Sequence, residues 1–255
     1  MALRPRRASK SRPVGKLGRL SGVIPVGLHE MPHYVAGSLP AAPPEVKVPD
    51  VKSYLKIDWG MLGNNEVGNC GVAGLEHGFM ADAVCCQEPQ GFPDASEAVS
   101  YYLNYTGGKD TGVVLSQYLA YVRANGYYGD RVEAYAPFSP TDLPVLRSAV
   151  NLYDFAYCGI VVTDAMQLAF QRQEPWTTTS IEGSVVGGHC VPAVAYDEHF
   201  LYIVTWGGIQ PISYPAWLEI ADEAWAVITH QLVRRGGNGR GVNLDALKAD
   251  LDKLK

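Results

Sequence analysis

The chain of 255 residues is 47% hydrophobic and 18% charged, which supplies a buried interior and argues against disorder throughout. No stretch approaches the roughly eighteen uninterrupted apolar residues of a membrane-spanning helix. Five cysteines without a CxxC pair argue against a disulfide scaffold and an ordinary zinc site, so a soluble globular protein with no metal or cofactor is expected.

Charge is unevenly placed. Residues 1–20 carry seven basic side chains (Arg4, Arg6, Arg7, Lys10, Arg12, Lys16, Arg19) and no acid, leaving about −12 on the remainder of a chain whose net charge is −5. A basic arm on an acidic body reads as a tail seeking nucleic acid or an acidic protein surface, or else as a solvated terminus. It is no secretion signal, because the apolar run Val23-Ile24-Pro25-Val26 is short and broken by proline. Residues 21–52 are rich in Pro and Gly and read as an extended segment.

The compact part is expected over 53–233, helices first and strands later. Apolar spacing predicts helices near 70–86, 95–105 and 113–124, the last ended by Asn125-Gly126. A fourth, capped by Thr141 or Asp142, reaches about Asn151. Strands are expected at Ala156–Thr163, Gly188–Tyr196 and Phe200–Thr205, the last two joined by a hairpin-length Asp197-Glu198-His199. This order predicts an α+β fold, a helix-rich first half packed on an antiparallel sheet from the second half. A Gly-rich linker, 234–241, leads to an amphipathic helix over 242–255, where Asn243 caps a stripe of Leu244, Leu247, Leu251 and Leu254.

Cys70 opens the first helix within Gly63-Asn64-Asn65-Glu66-Val67-Gly68-Asn69-Cys70-Gly71. Free first-turn N–H groups and the positive end of the helix dipole favour the thiolate, the nucleophilic form. The same N–H groups can receive the negative oxygen that develops when a thiolate attacks a carbonyl. By itself such a cysteine is a small core residue. His189, preceded by Gly187-Gly188 and opening a strand, supplies a base for the thiol. Cys158 and Cys190 read as core, Cys85-Cys86 as one buried and one partly exposed thiol, and His77 as structural. Asp197, Glu198 and His199 read as a solvated tip, and Tyr214, Trp217 and Trp225 as packing anchors.

These residues resemble the papain-like and C39-like cysteine peptidase superfamily over roughly residues 57–230. An amide residue, Asn64, stands six positions before Cys70, a Gly-His strand comes late, and the following hairpin ends in Thr205-Trp206-Gly207. The string Gly-Asn-x-x-x-Gly-x-Cys is most similar to C39-like proteins encoded by bacteriophages. The resemblance implies a papain-like fold, Cys70 as nucleophile, His189 as general base and Asn64 completing an oxyanion hole. It also implies an Asn or Asp about sixteen residues after His189, where this chain has Thr205 instead. A hydroxyl stabilises an imidazolium less than a carboxylate does.

Two functions follow from the resemblance. One is a thiol hydrolase cleaving a peptide, amide or isopeptide bond, with a peptide or protein substrate. The other is a weak or inactive papain-fold virion protein, anchored to other virion proteins through residues 1–52 and 242–255. Both imply the host cytoplasm or the virion as location. Cys70 and His189 in reach of each other in an open cleft favour the first. A buried Cys70, or a cleft plugged by Trp206, Trp176 or the N-terminal segment, favours the second.

Overall fold

A computed structural model describes residues 11–20, 51–85 and 92–237. Residues 1–10 of the basic arm, most of the extended segment 21–52, Cys86, residues 238–241 and the expected helix 242–255 lie outside the described residues.

The elements run in chain order as β1 (Arg19–Leu20), α1 (Val51–Tyr54), α2 (Cys70–Cys85), α3 (Ala95–Thr106), β2 (Val113–Val114), α4 (Leu115–Asn125), β3 (Val132–Phe138) and α5 (Leu143–Tyr153). They continue with β4 (Ala156–Thr163), α6 (Asp164–Gln171), β5 (Val185–Tyr196), β6 (Phe200–Thr205), β7 (Gly208–Ser213), α7 (Tyr214–Ile220), β8 (Ala221–Thr229) and α8 (His230–Arg234). The fold is α+β, as expected, with an antiparallel six-stranded sheet in the order β3-β8-β4-β5-β6-β7.

Local chemistry explains the helix boundaries. Asp94 and Glu97 form a reciprocal capping box at the start of α3, and Gly107 ends it in the left-handed conformation. Of the two candidate caps for α5, Asp142 is the one used: its side chain accepts the Val145 N–H at 3.2 Å. Helix α2 differs, being buried on all sides from Cys70 to Ala83, as suits the central helix of a domain. Its small residues let other chains come close. A Cβ on Gly74 would lie 3.0 Å from Cys190 Sγ, and one on Gly78 would lie 2.4 Å from the Phe155 ring.

Strand β8 shows how the sheet divides the core. Ala224, Ala226 and Ile228 join a cluster with Trp176, Trp217 and Phe170, while Trp225 and Val227 join one with Phe79, Tyr118 and Tyr157. That alternation is the two-residue period of a strand buried on both faces. Removing the Phe155 ring would cost about 3–5 kcal/mol by the usual large-to-small scale.

Strands β4 and β6 have their expected bounds, and β5 begins three residues earlier than expected. The expected third helix starts at Leu115, because Val113–Val114 pairs in parallel with Arg19–Leu20. Strands β3, β7 and β8 were not foreseen. Pro211 in β7 is tolerated because β7 is an edge strand, and the alanines of β8 carry little strand propensity. At the hairpin tip, Asp197 accepts N–H groups of His199 and Phe200 and the Tyr202 hydroxyl, so it organises the turn as well as facing water.

Candidate active site

Cys70 is the first residue of α2 and is 1% exposed. The loop before it is clamped: Asp110 Oδ1 accepts the Gly68 N–H at 2.8 Å and the Tyr102 hydroxyl at 2.9 Å. The Asn69 side chain donates to the Leu62 carbonyl at 2.8 Å. Behind the first turn, Tyr157 donates its hydroxyl to the Gly71 carbonyl at 2.7 Å. These bonds hold the thiol against β5, where the Cys190 backbone hydrogen-bonds to it.

His189 adjoins Cys190 on β5 and is 2% exposed. Its Nε2 shares a 2.9 Å hydrogen bond with Thr205 Oγ1, sixteen residues on, at the end of β6. The Trp206 ring lies 5.1 Å from the imidazole and is itself packed edge-on against Phe170 and Trp176. Among the described residues His189 Nδ1 has no hydrogen-bond partner, and no hydrogen bond joins Cys70 to His189.

The thiol's partner is instead the chain's own N-terminal segment. Gly18 donates its N–H to Cys70 Sγ at 3.2 Å. Two residues earlier, the Lys16 carbonyl accepts from Asn64 Nδ2 at 2.9 Å, and the Lys16 N–H donates to the Asn64 carbonyl at 2.5 Å. Residues 11–20 thus run past Asn64 and the Cys70 thiol. Arg12 binds the Gln171 and Ile209 carbonyls, Gly15 abuts Trp206 and Asn64, and Leu17 abuts Gly187. Arg19 ends the run with its guanidinium on Asp222 and Glu223.

Electrostatics follow from this burial. The Cys70 thiol is pushed above its ordinary range by burial, against the opposing pull of backbone N–H groups and the Arg19 charge. Burial also lowers His189 to about 3, helped by the positive charge of Arg19 and by His77. Both shifts favour the uncharged form, a neutral thiol at Cys70 and a neutral imidazole at His189. His77 donates from Nε2 to the Trp59 and Gly60 carbonyls, at 3.0 and 3.1 Å, and is lowered to about 4 by burial.

Of the four candidate residues, Cys70 and Asn64 each hydrogen-bond to the segment 16–18, and His189 is bonded to Thr205. The residues that sequence reasoning missed are Gly18, Arg19, Asp110 and Glu223. Two basic residues of the arm, Arg12 and Arg19, bind the protein's own body, a pairing that a charge count cannot distinguish from binding to another molecule.

No family model matches this chain, and no curated protein does. Among solved structures it is similar to xylellain, a cysteine protease from Xylella fastidiosa, at a TM-score of 0.60 and 14% identity, covering 87% of this chain and 98% of that one. It is similar to proCathepsin B S9 from Trypanosoma congolense at a TM-score of 0.53 and 10% identity, covering 86% of each chain. A digestive procathepsin L 3 of Tenebrio molitor larval midgut gives 0.50 and 12%, covering 86% of this chain and 76% of that one. At these identities the likeness establishes a papain-like fold.

Proposed function

We propose that this chain is a papain-like thiol hydrolase, held latent by its own residues 11–20. The observation that carries the reading is the peptide of the arm lying on the candidate machinery, with Gly18 N–H on Cys70 Sγ and the Lys16 carbonyl on the Asn64 amide. A site that binds a peptide backbone at its nucleophile and at an amide donor has the groups that a scissile peptide requires.

The chemistry starts once the arm leaves. Solvent returns to the cleft, the Arg19 charge withdraws from His189, and the imidazole regains basicity. With Nε2–H donating to Thr205 Oγ1, Nδ1 takes the Cys70 proton. The thiolate forms a C–S bond to the substrate carbonyl carbon, and the carbonyl π pair moves to oxygen, held by Asn64 Nδ2–H and the Cys70 N–H. The oxyanion collapses, the C–N bond breaks, and the amine leaves with the proton from His189. Water, deprotonated by the same imidazole, then cleaves the thioester to a carboxylate and returns the thiol. The phage C39-like assignment within this reading rests on the Asn64-to-Cys70 string with Gly187-Gly188-His189 and Thr205-Trp206-Gly207.

A second reading, a papain-fold structural protein with a retired site, is favoured by the 1% exposure of Cys70 and by the plugged cleft. The test is mass-spectrometric: full-length Gly18→Val protein is incubated with a mixed peptide pool and scanned for new termini and for a thioester on Cys70. Cleavage that vanishes in Gly18→Val/Cys70→Ala is expected. No product and no thioester would favour the structural reading.

A further inference from the structure

Arg19 is the next residue after the one touching Cys70, yet its side chain is only 4% exposed. It enters a slot whose walls are two glycines. A Cβ on Gly159 would lie 2.8 Å from Arg19 Nη1, and one on Gly188 would lie 3.3 Å from its Nε. Any side chain at either position would fill the slot.

The end of the slot is acidic, and the sheet is irregular there. Glu223 Oε2 accepts from Arg19 Nη1 at 3.1 Å, and Asp222 Oδ2 accepts from Nη2. Consecutive residues of a regular strand point to opposite faces, so neighbouring carboxylates would not normally share one guanidinium. In β8 the register against β4 slips: Glu223 pairs with Gly159 but Ala221 pairs with Ile160, leaving Asp222 as an extra residue. Such a bulge re-aims side chains and lets both carboxylates reach the slot. Glu223 is also held from behind, its Oε1 accepting the Trp225 indole N–H at 2.8 Å, a bond independent of Arg19.

We propose that this slot of Asp222, Glu223, Gly159 and Gly188 is a substrate subsite for arginine, which selects peptides carrying that residue within two positions of the scissile bond. The assignment rests on the thiol-hydrolase reading above and names its substrate class. A departing arm leaves a mostly buried Glu223 facing a vacant slot, and a buried carboxylate without a cation is costly. A peptide that restores the cation recovers that cost; a neutral side chain does not. The two carboxylates take different nitrogens of one guanidinium, an arrangement that a lysine ammonium, a single point donor, does not reproduce. The slot therefore prefers arginine to lysine.

The test uses full-length Gly18→Val/Arg19→Ala protein, which displaces the arm and empties the slot. Acetylated, amidated hexapeptides carry arginine, lysine or the neutral isostere citrulline at each position in turn. Binding is read by calorimetry in a Cys70→Ala background and cleavage by mass spectrometry with Cys70 present. At one position, arginine peptides are expected to bind at least about tenfold more tightly than citrulline peptides, and Glu223→Gln to abolish that preference. Parity of arginine and citrulline, a preference that survives Glu223→Gln, or no binding would overturn the proposal. Cleavage without arginine preference overturns the subsite and leaves the hydrolase standing. Arginine-selective binding without cleavage overturns the hydrolase and leaves the slot as a peptide-binding pocket.

Discussion

Gly18 lies flat on Gly68, so close that a Cβ built on Gly18 would sit 1.6 Å from the Gly68 carbonyl oxygen. Both contacting groups are backbone, and Gly68 is itself fixed by Asp110, so neither can yield cheaply. This contact brings the arm within hydrogen-bond reach of Cys70 Sγ, and it admits only glycine. Gly18→Ala should therefore expel residues 11–20 from the cleft. Trypsin, which needs extended and accessible chain, should then cut after Lys16 and Arg19 much faster than in the wild type. Equal resistance in the two proteins would contradict the packing described.

Thr205 stands where the resemblance implies an amide or carboxylate, and its hydroxyl is the partner of His189 Nε2. Thr205→Val keeps the shape and removes that partner, leaving a buried ring nitrogen unpaired. A loss of about 1–2 kcal/mol is expected in urea unfolding, with Thr205→Ser close to wild type. A neutral Thr205→Val would mean that the imidazole finds another partner.

Acid should loosen the arm. With the arm docked His189 is lowered to about 3, against an ordinary value of 6.5. The open form therefore binds a proton over a range where the closed form does not. This part of the docking stability is fully present above pH 6.5 and is lost as pH falls toward 3. Modification of Cys70 by 4,4′-dithiodipyridine, a reagent active in acid, should accelerate as pH falls below 6.5. A rate flat over that range would contradict the linkage.

Glu76 gives the opposite sign. Its carboxyl is buried in α2 and raised to about 8, first by burial and then by Asp130, from an ordinary 4.5. The folded state keeps a proton that the unfolded state releases, so stability from this group is full below pH 4.5 and lost as pH rises to about 8. Glu76→Gln mimics the protonated form. Its stability relative to wild type should improve steadily from pH 4.5 to 8 and level off above; a constant difference would show that Glu76 titrates normally.

Much of this arrangement was legible from local pattern. Cys70 at a helix start, His189 on a Gly-Gly-His strand and Thr205 sixteen residues later depend on periodicity and spacing, and these survive folding. Strands β4 and β6 were legible because their apolar runs are β-branched and bounded by turn residues. Strand β8 was not, because Ala-Asp-Glu-Ala-Trp-Ala has weak strand propensity and is ordered by neighbours far along the chain. The contact made by Arg19 of the arm was illegible for a similar reason. The arm's charge suggests an anionic partner, but Arg19 meets that charge in Asp222 and Glu223, more than 200 residues away. Nothing in the local sequence reports such a contact.

On the proposed reading, Cys70 and His189 form a competent pair silenced by the chain's own N-terminal segment. The most direct measurement is the pH dependence of Cys70 alkylation by iodoacetamide, mapped by peptide mass, in wild type, Gly18→Val and Gly18→Val/His189→Ala. Near-silence in wild type at pH 7 is expected, with rapid reaction in Gly18→Val below the ordinary thiol range of about 8.5 and a marked slowing when His189 is removed. A Cys70 that stays inert in Gly18→Val, or reacts regardless of His189, would contradict the account.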